Sequence, residues 1–232
     1  MARTRSVALE GTRGHPVDIE VDISPGLPKV TLVGLPDASL GEARDRCRAA
    51  VKNSKHTWPD RRVTIGLSPA SLPKSGSHYD LGIAVAVLTA AGEVPRDALH
   101  ETMFLGELAL DGGLRAIPGV LPSAMAAVEA GCKRIVVPEV NAPEAELVGD
   151  LEVLSARSLR HVLSDLRGEP IPDDPPVPAM ASAPSASWCE QDRLTMLDMR
   201  DVVGQDAARI CVTVAAAGGH HVYLFGPPGV ST

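Results

Sequence analysis

The chain has 232 residues, of which 44% are apolar and only 3% aromatic, and its formal net charge is −7. That length suits one domain of ordinary size plus part of a second, with a core built from Val, Leu, Ile and Ala. The acidic balance excludes a chain-wide basic footprint for nucleic acid and leaves only local contact with it. Cys47, Cys132, Cys189 and Cys211 show no C-x-x-C spacing, so neither a zinc site nor a disulfide framework is expected, and the thiols read as reduced. Residues 1–19 lack an apolar core of signal-peptide length, and no run reaches the ~18 apolar residues of a membrane span. A soluble, cytoplasmic protein with no membrane contact is the expectation.

Residues 17–23 (VDIEVDI) alternate apolar and polar side chains, as a half-buried strand does, and residues 6–10 (SVALE) pair with them across Gly11 and Gly14. Residues 28–33 (PKVTLV) give a third strand. Ser39-Leu40-Gly41-Glu42 reads as a capping box opening a helix to about Lys55. Leu40, Ala43, Cys47, Ala50 and Val51 form its apolar stripe, and Arg44, Arg46, Arg48, Lys52 and Lys55 the remaining surface. Residues 62–67 form a strand. Residues 103–110 and 114–117 read as a hairpin about Asp111-Gly112-Gly113. A helix from Pro118 to about Ala130, a buried strand at 134–137, a short helix at 142–148, a strand at 153–154 and a helix at 158–166 follow. Early hairpins and later strand–helix alternation predict an α/β fold of mixed α+β character, with helices packed on a mixed sheet.

The stretch that organises the chain is residues 64–88, TIGLSPASLPKSGSHYDLGIAVAVL. It reads as a strand, a loop, and a helix with no polar face after Asp80. Such a helix is buried on every side. The loop before it carries Pro69, Pro73, Ser71, Ser75, Ser77, Lys74 and Gly76, the small and polar residues that place backbone N–H groups at a helix entrance. It is therefore the first place to look for chemistry. Neighbouring side chains of an extended loop diverge, so Ser77 and His78 are not a nucleophile–base pair by adjacency alone. A structural or partner-binding loop is favoured over hydrolysis, with Asp80 capping the buried helix and Lys74 a solvated charge in preference to a phosphate ligand.

Residues 168–187 (GEPIPDDPPVPAMASAPSAS) are rich in Pro, Ala and Ser without periodicity and read as a linker. Residues 197–217 are largely helical. Residues 222–225 form a strand opening into Gly226-Pro227-Pro228-Gly229. His220 and His221 are adjacent at a strand entrance and point opposite ways, which argues against a metal pair, and no metal ligand set is assigned.

Residues 26–54 and 72–88 closely resemble the amino-terminal domain of the YifB/ComM proteins, which are magnesium-chelatase-like AAA+ ATPases. Residues 104–122 (FLGELALDGGLRAIPGVLP) and 134–148 (RIVVPEVNAPEAELV) continue the likeness, and residues 201–229 resemble the start of that family's ATPase core. The resemblance implies a Lon-protease-like domain at 1–168, a Pro/Ala/Ser-rich linker at 169–192 and the incomplete start of a P-loop AAA+ domain at 193–232. In Lon the domain carries a Ser–Lys dyad. Aligning residues 82–84 (GIA) puts Asp80 at the serine position, and aligning the alanines after Gly119 puts Leu121 at the lysine, so no catalytic residue is assigned here.

A P-loop reads G-x-x-x-x-G-K-[ST]: backbone N–H groups cradle phosphates, the lysine neutralises their charge and the hydroxyl holds Mg²⁺. Gly226, Pro227, Pro228 and Gly229 fit the family pattern, followed by Val230, Ser231 and Thr232 in place of its Gly-Lys. Ser231 takes the hydroxyl position if a pair is missing, and Thr232 the lysine position if none is. The family implies ATP and Mg²⁺, but neither is expected to bind this chain tightly, and ATP hydrolysis by it alone is not expected. Gly204-Gln205 resembles the motif that AAA+ proteins set against adenine, with a plain helix-entry turn as the other reading. The basic face of Arg44, Arg48 and Lys52 is the local candidate for DNA phosphates, a solvated face being its alternative. The family's full form implies a ring oligomer acting on DNA as an ATP-driven branch-migration helicase. Two alternatives stand beside it: an ATPase-dead fragment that binds a protein such as a full-length relative, and, less favoured, a Lon-like serine peptidase.

Overall fold

The structure, a computed structural model, describes residues 1–34, 38–178 and 204–223, with the side chains of 38–41 outside the description. Internal contacts divide the chain into two units, Met1–Ala181 and Ser182–Thr232. In the first, strands β1 (Ala2–Glu10) and β2 (Arg13–Ser24) form a long antiparallel ribbon paired from Ala2 with Val21 to Glu10 with Arg13. Only Gly11 and Thr12 make the turn, and Gly11 takes φ +61°, the left-handed conformation that a two-residue hairpin turn requires. Gly14, expected at the turn together with Gly11, is not part of it. It lies instead within β2, where a Cβ would come 2.6 Å from that of Ala126.

The remaining strands of the main sheet are β3 (Lys29–Val33), β4 (Arg62–Ser68), β5 (Thr102–Phe104), β8 (Arg134–Pro138) and β9 (Glu152–Ala156), in the order β3-β4-β2-β1-β5-β8-β9. The pairings of β2 with β1 and with β4 are antiparallel, and the rest are parallel. This is the mixed sheet expected. The hairpin expected over 103–117 is divided between two sheets. Residues 102–104 join the main sheet, while β6 (Glu107–Leu108) and β7 (Leu114–Arg115) form a small ribbon of their own. The division falls where the Leu105 N–H bonds to Val136 O and the Gly106 N–H turns to His78 O.

Helices cover both faces. Val17, Ile19, Val21, Val63 and Ile65 pack with α1 (Ala38–Asn53), α2 (Asp80–Ala90) and α5 (Leu159–Arg167) in one core. Val7, Met103, Ile135 and Val137 pack with α3 (Val120–Glu129) and α4 (Ala142–Ala145) in the other. Alternate residues of β8 serve opposite cores, Val136 the first and Ile135 and Val137 the second, as the pleat demands. Helix α2 is buried from Asp80 through Thr89. Each of its Leu, Ile and Val side chains contributes about 2 kcal/mol by leaving water, so the helix is the keystone of the first core.

In the second unit the described element is α6 (Asp206–Gly218), in the later part of the helix expected over 197–217; residues 197–203 lie outside the described residues. No helix among the described residues is long and apolar enough to cross a membrane.

Candidate functional site

The organising stretch converges on the amino-terminal end of α2. Strand β4 leads into the loop, and the loop is pinned before the helix begins. The Leu81 N–H bonds to Gly106 O at 3.0 Å and the Gly106 N–H to His78 O at 2.9 Å, so the β5–β6 connection clasps the helix entrance. His78 Nε2 lies 2.7 Å from Val7 O. A carbonyl only accepts, so that nitrogen carries the proton.

Asp80 sits in the first turn of α2, is fully buried, and does not cap it: the cap position is Tyr79, without a side-chain cap bond. The carboxylate serves a different purpose from the one expected. Arg46 of α1 grips it bidentately, Nε to Oδ2 at 2.8 Å and Nη2 to Oδ1 at 3.1 Å, and the Leu108 N–H donates to Oδ2 at 3.3 Å. Arg46 also reaches Glu42 Oε2 at 3.5 Å. The basic pattern of α1 places Arg46 on the helix surface with its other cations, and the structure differs. Its position beside Cys47 turns it inward, and a buried carboxylate without a cation would have been prohibitively costly. Cys47 Sγ donates to Asp80 O at 3.3 Å.

Burial raises the Asp80 carboxyl from 3.8 to about 6, against the opposing pull of Arg46 and the Leu108 N–H. The hydrogen bond to Asp80 raises Arg46, and burial pushes the Cys47 thiol well up, so it is an inert thiol.

Two further polar residues of the loop, Ser77 and Lys74, are held by partners. The Ser77 hydroxyl donates to Glu107 Oε2, and Glu107 Oε1 is 3.4 Å from Arg115 Nη1. Lys74 was expected to be a solvated charge; it is almost wholly buried, its Nζ donating to Pro69 O and, at 2.6 Å, to Leu72 O. Loss of surrounding water lowers its pKa. Leu121 lies in the first turn of α3, where its N–H donates to Glu144 Oε1 at 2.8 Å. The two positions aligned with the Lon dyad thus hold a structural carboxylate and a leucine. Both the Arg46–Asp80 pair and the burial of Lys74 escaped the sequence reading. The signal available was the isolated Asp80 at the head of an apolar helix, which called for a partner.

The three basic residues proposed from sequence for DNA contact all lie on α1. Arg44 and Arg48 stand on exposed α1 positions beside Pro28, Lys29, Trp58 and Arg61, and Lys52 is exposed one turn on. Arg44 is paired with Asp45 at 2.9 Å, which raises the guanidinium and lowers the carboxylate. Gly204 and Gln205 precede α6, both exposed and both with positive φ. Gly226, Pro227, Pro228, Gly229, Ser231 and Thr232, together with most of the linker, lie outside the described residues. No cluster of three or more His, Cys, Asp or Glu side chains able to hold a metal occurs among the described residues.

The family model described as "Subunit ChlI of Mg-chelatase" matches residues 19–141, more than half of the chain, and "Magnesium chelatase, subunit ChlI" matches residues 198–232. The chain belongs to the YifB/ComM magnesium-chelatase-like family. An uncharacterized protein of Mycobacterium tuberculosis is 48% identical over 99% of this chain and 44% of its own length. Uncharacterized protein YifB of Escherichia coli is 40% identical over 96% of this chain and 42% of its own. Competence protein ComM of Haemophilus influenzae is 37% identical over 99% and 44%. The chain thus spans less than half the length of these relatives. A weaker likeness, 27% identity over 54% of this chain and 16% of the relative, links it to Lon protease 2 of Thermus thermophilus, consistent with the Lon-like architecture.

Proposed function

We propose that this chain is part of a AAA+ protein that remodels DNA at the expense of ATP and Mg²⁺, and that its first unit is a recognition module, not a peptidase. The observation that carries the second half is Asp80. Where a Lon-like enzyme needs a free serine hydroxyl, this chain has a buried carboxylate held by Arg46 and by a backbone N–H. A nucleophile must be open to substrate and bonded to a base. Asp80 is neither, and the Ser77 hydroxyl beside it is committed to Glu107.

The DNA half rests on family membership and on α1. Arg48 and Lys52 reach no carboxylate within ion-pair distance among the described residues, so each is available to a phosphate, whereas Arg44 must first leave Asp45. In this reading the residues from Gly226 to Thr232 belong to the nucleotide loop, Gly204 and Gln205 face adenine, and a ring of such chains encloses its substrate.

The test pairs two assays on the full chain. Fluorogenic peptides and unfolded casein incubated with it should show no cleavage above a buffer control. Binding to a labelled DNA duplex should weaken at least tenfold when Arg44, Arg48 and Lys52 are replaced together by Gln. Peptide turnover that disappears in Ser77→Ala would reverse the first conclusion, and unaltered DNA affinity in the triple variant would reverse the second.

A further inference from the structure

Composition reads the stretch after α5 as a spacer, yet two of its residues are buried. Asp174 is 4% exposed and Val177 is 5% exposed. Asp174 lies at the amino-terminal end of α5. Ser158, which caps that helix by accepting from the His161 N–H at 3.0 Å, donates its hydroxyl to Asp174 Oδ2. Arg160 donates to Oδ1, and Arg157 Nη1 donates to the Asp174 carbonyl at 3.1 Å. The carboxylate thus meets a hydroxyl, a guanidinium and the positive end of a helix dipole. Three residues on, Val177 packs into the first hydrophobic core. Its backbone also stabilises the Glu139 carboxylate, which Arg157 holds at 2.8 Å and lowers in pKa.

Between the two anchors stand Pro175 and Pro176, each with its φ fixed by the ring. A segment with φ already set at two positions gives up less entropy on docking. The wall facing it, from Gly112 to Leu114, is closed by backbone: the Leu159 N–H bonds to Gly112 O at 2.8 Å and the Leu114 N–H to Arg157 O at 2.9 Å. The groove therefore reads one carboxylate and one β-branched side chain, with two exposed prolines setting the distance between them.

We propose that this groove is a recognition site for an acidic, proline-rich segment, filled in this chain by its own residues 172–178. The start of the spacer is then a bound ligand that fixes where the chain leaves the first unit. The carboxylate supplies a salt-sensitive anchor and Val177 an apolar one, so the segment detaches when either is removed, without unfolding of the sheet.

Hydrogen exchange on the full chain tests this. In the wild type the Asp174 and Val177 amides should be protected. In Asp174→Asn, and separately in Val177→Asp, they should exchange at least tenfold faster while the amides of α2 keep their protection. A labelled peptide of residues 170–178 should bind the Asp174→Asn chain, whose groove is vacated, at least tenfold more tightly than the wild type. Wild-type amides exchanging as fast as those of an unstructured peptide would overturn the proposal. So would loss of α2 protection in step with the segment in both variants, which would make residues 172–178 ordinary core, or equal peptide binding by wild type and variant.

Discussion

At Asp80, burial and ion pairing act in opposite directions, and the balance sets a pH dependence. The folded carboxyl titrates at about 6, above its ordinary value of 3.8. The folded state therefore holds this proton more tightly than the unfolded chain does. The stability this contributes is fully present below about pH 4 and is lost as the pH rises through about 6. Other carboxylates of the chain superimpose their own slopes, so the informative quantity is the difference between wild type and Asp80→Asn. Urea unfolding from pH 4 to pH 7.5 should show that difference moving against the wild type as pH rises, then levelling off above pH 6.5. A difference independent of pH would mean that Arg46 holds the carboxyl at its ordinary value. Asp80→Ala leaves Arg46 facing an empty site and should cost roughly 3 kcal/mol at neutral pH. The aspartate was visible in the sequence as a lone charge heading an apolar helix. Its partner was not, because Arg46 stands 34 residues away among three other basic residues of α1 that are exposed, and helical periodicity assigns a face only to within a residue.

At the scale of the elements, strand β3 is secured to β4 by a close approach at its end. Gly34 has φ +115°, and a Cβ there would fall 2.1 Å from Leu67 O. Gly34→Ala combines that clash with a conformation costly to any side chain, and should destabilise the fold by at least about 2 kcal/mol. Calorimetry would register this as a fall in Tm of several degrees, and an unchanged Tm would show that the β3 edge relaxes freely. Elements with strong periodicity were legible: the continuous apolar run of α2 reappears within two residues, and the alternation expected over 17–23 lies inside β2, which starts four residues earlier. The 103–117 hairpin was not. Its apolar residues fit either sheet, and the choice is made by parallel pairing of β5 with β1 and β8, partners about 100 residues back and 30 ahead in the chain. Sequence spacing carries no record of such pairing. The burial of Asp174 and Val177 was hidden for a related reason, since proline-rich composition looks the same in water and in a groove.

For the whole molecule, the proposed contact with DNA has to be made against a net charge of −7. The opposition is useful, because a chain repelled by DNA overall must bind through a small set of cations. The measurement that bears most directly on this account is the affinity of the full chain for a duplex as a function of salt. Each phosphate neutralised contributes about 0.9 to the slope of log affinity against log salt. The account predicts a linear decline for the wild type, and a slope shallower by roughly two to three in the variant lacking Arg44, Arg48 and Lys52. Equal slopes, or an affinity that ignores salt, would contradict it and return the first unit to the role of a protein-binding module.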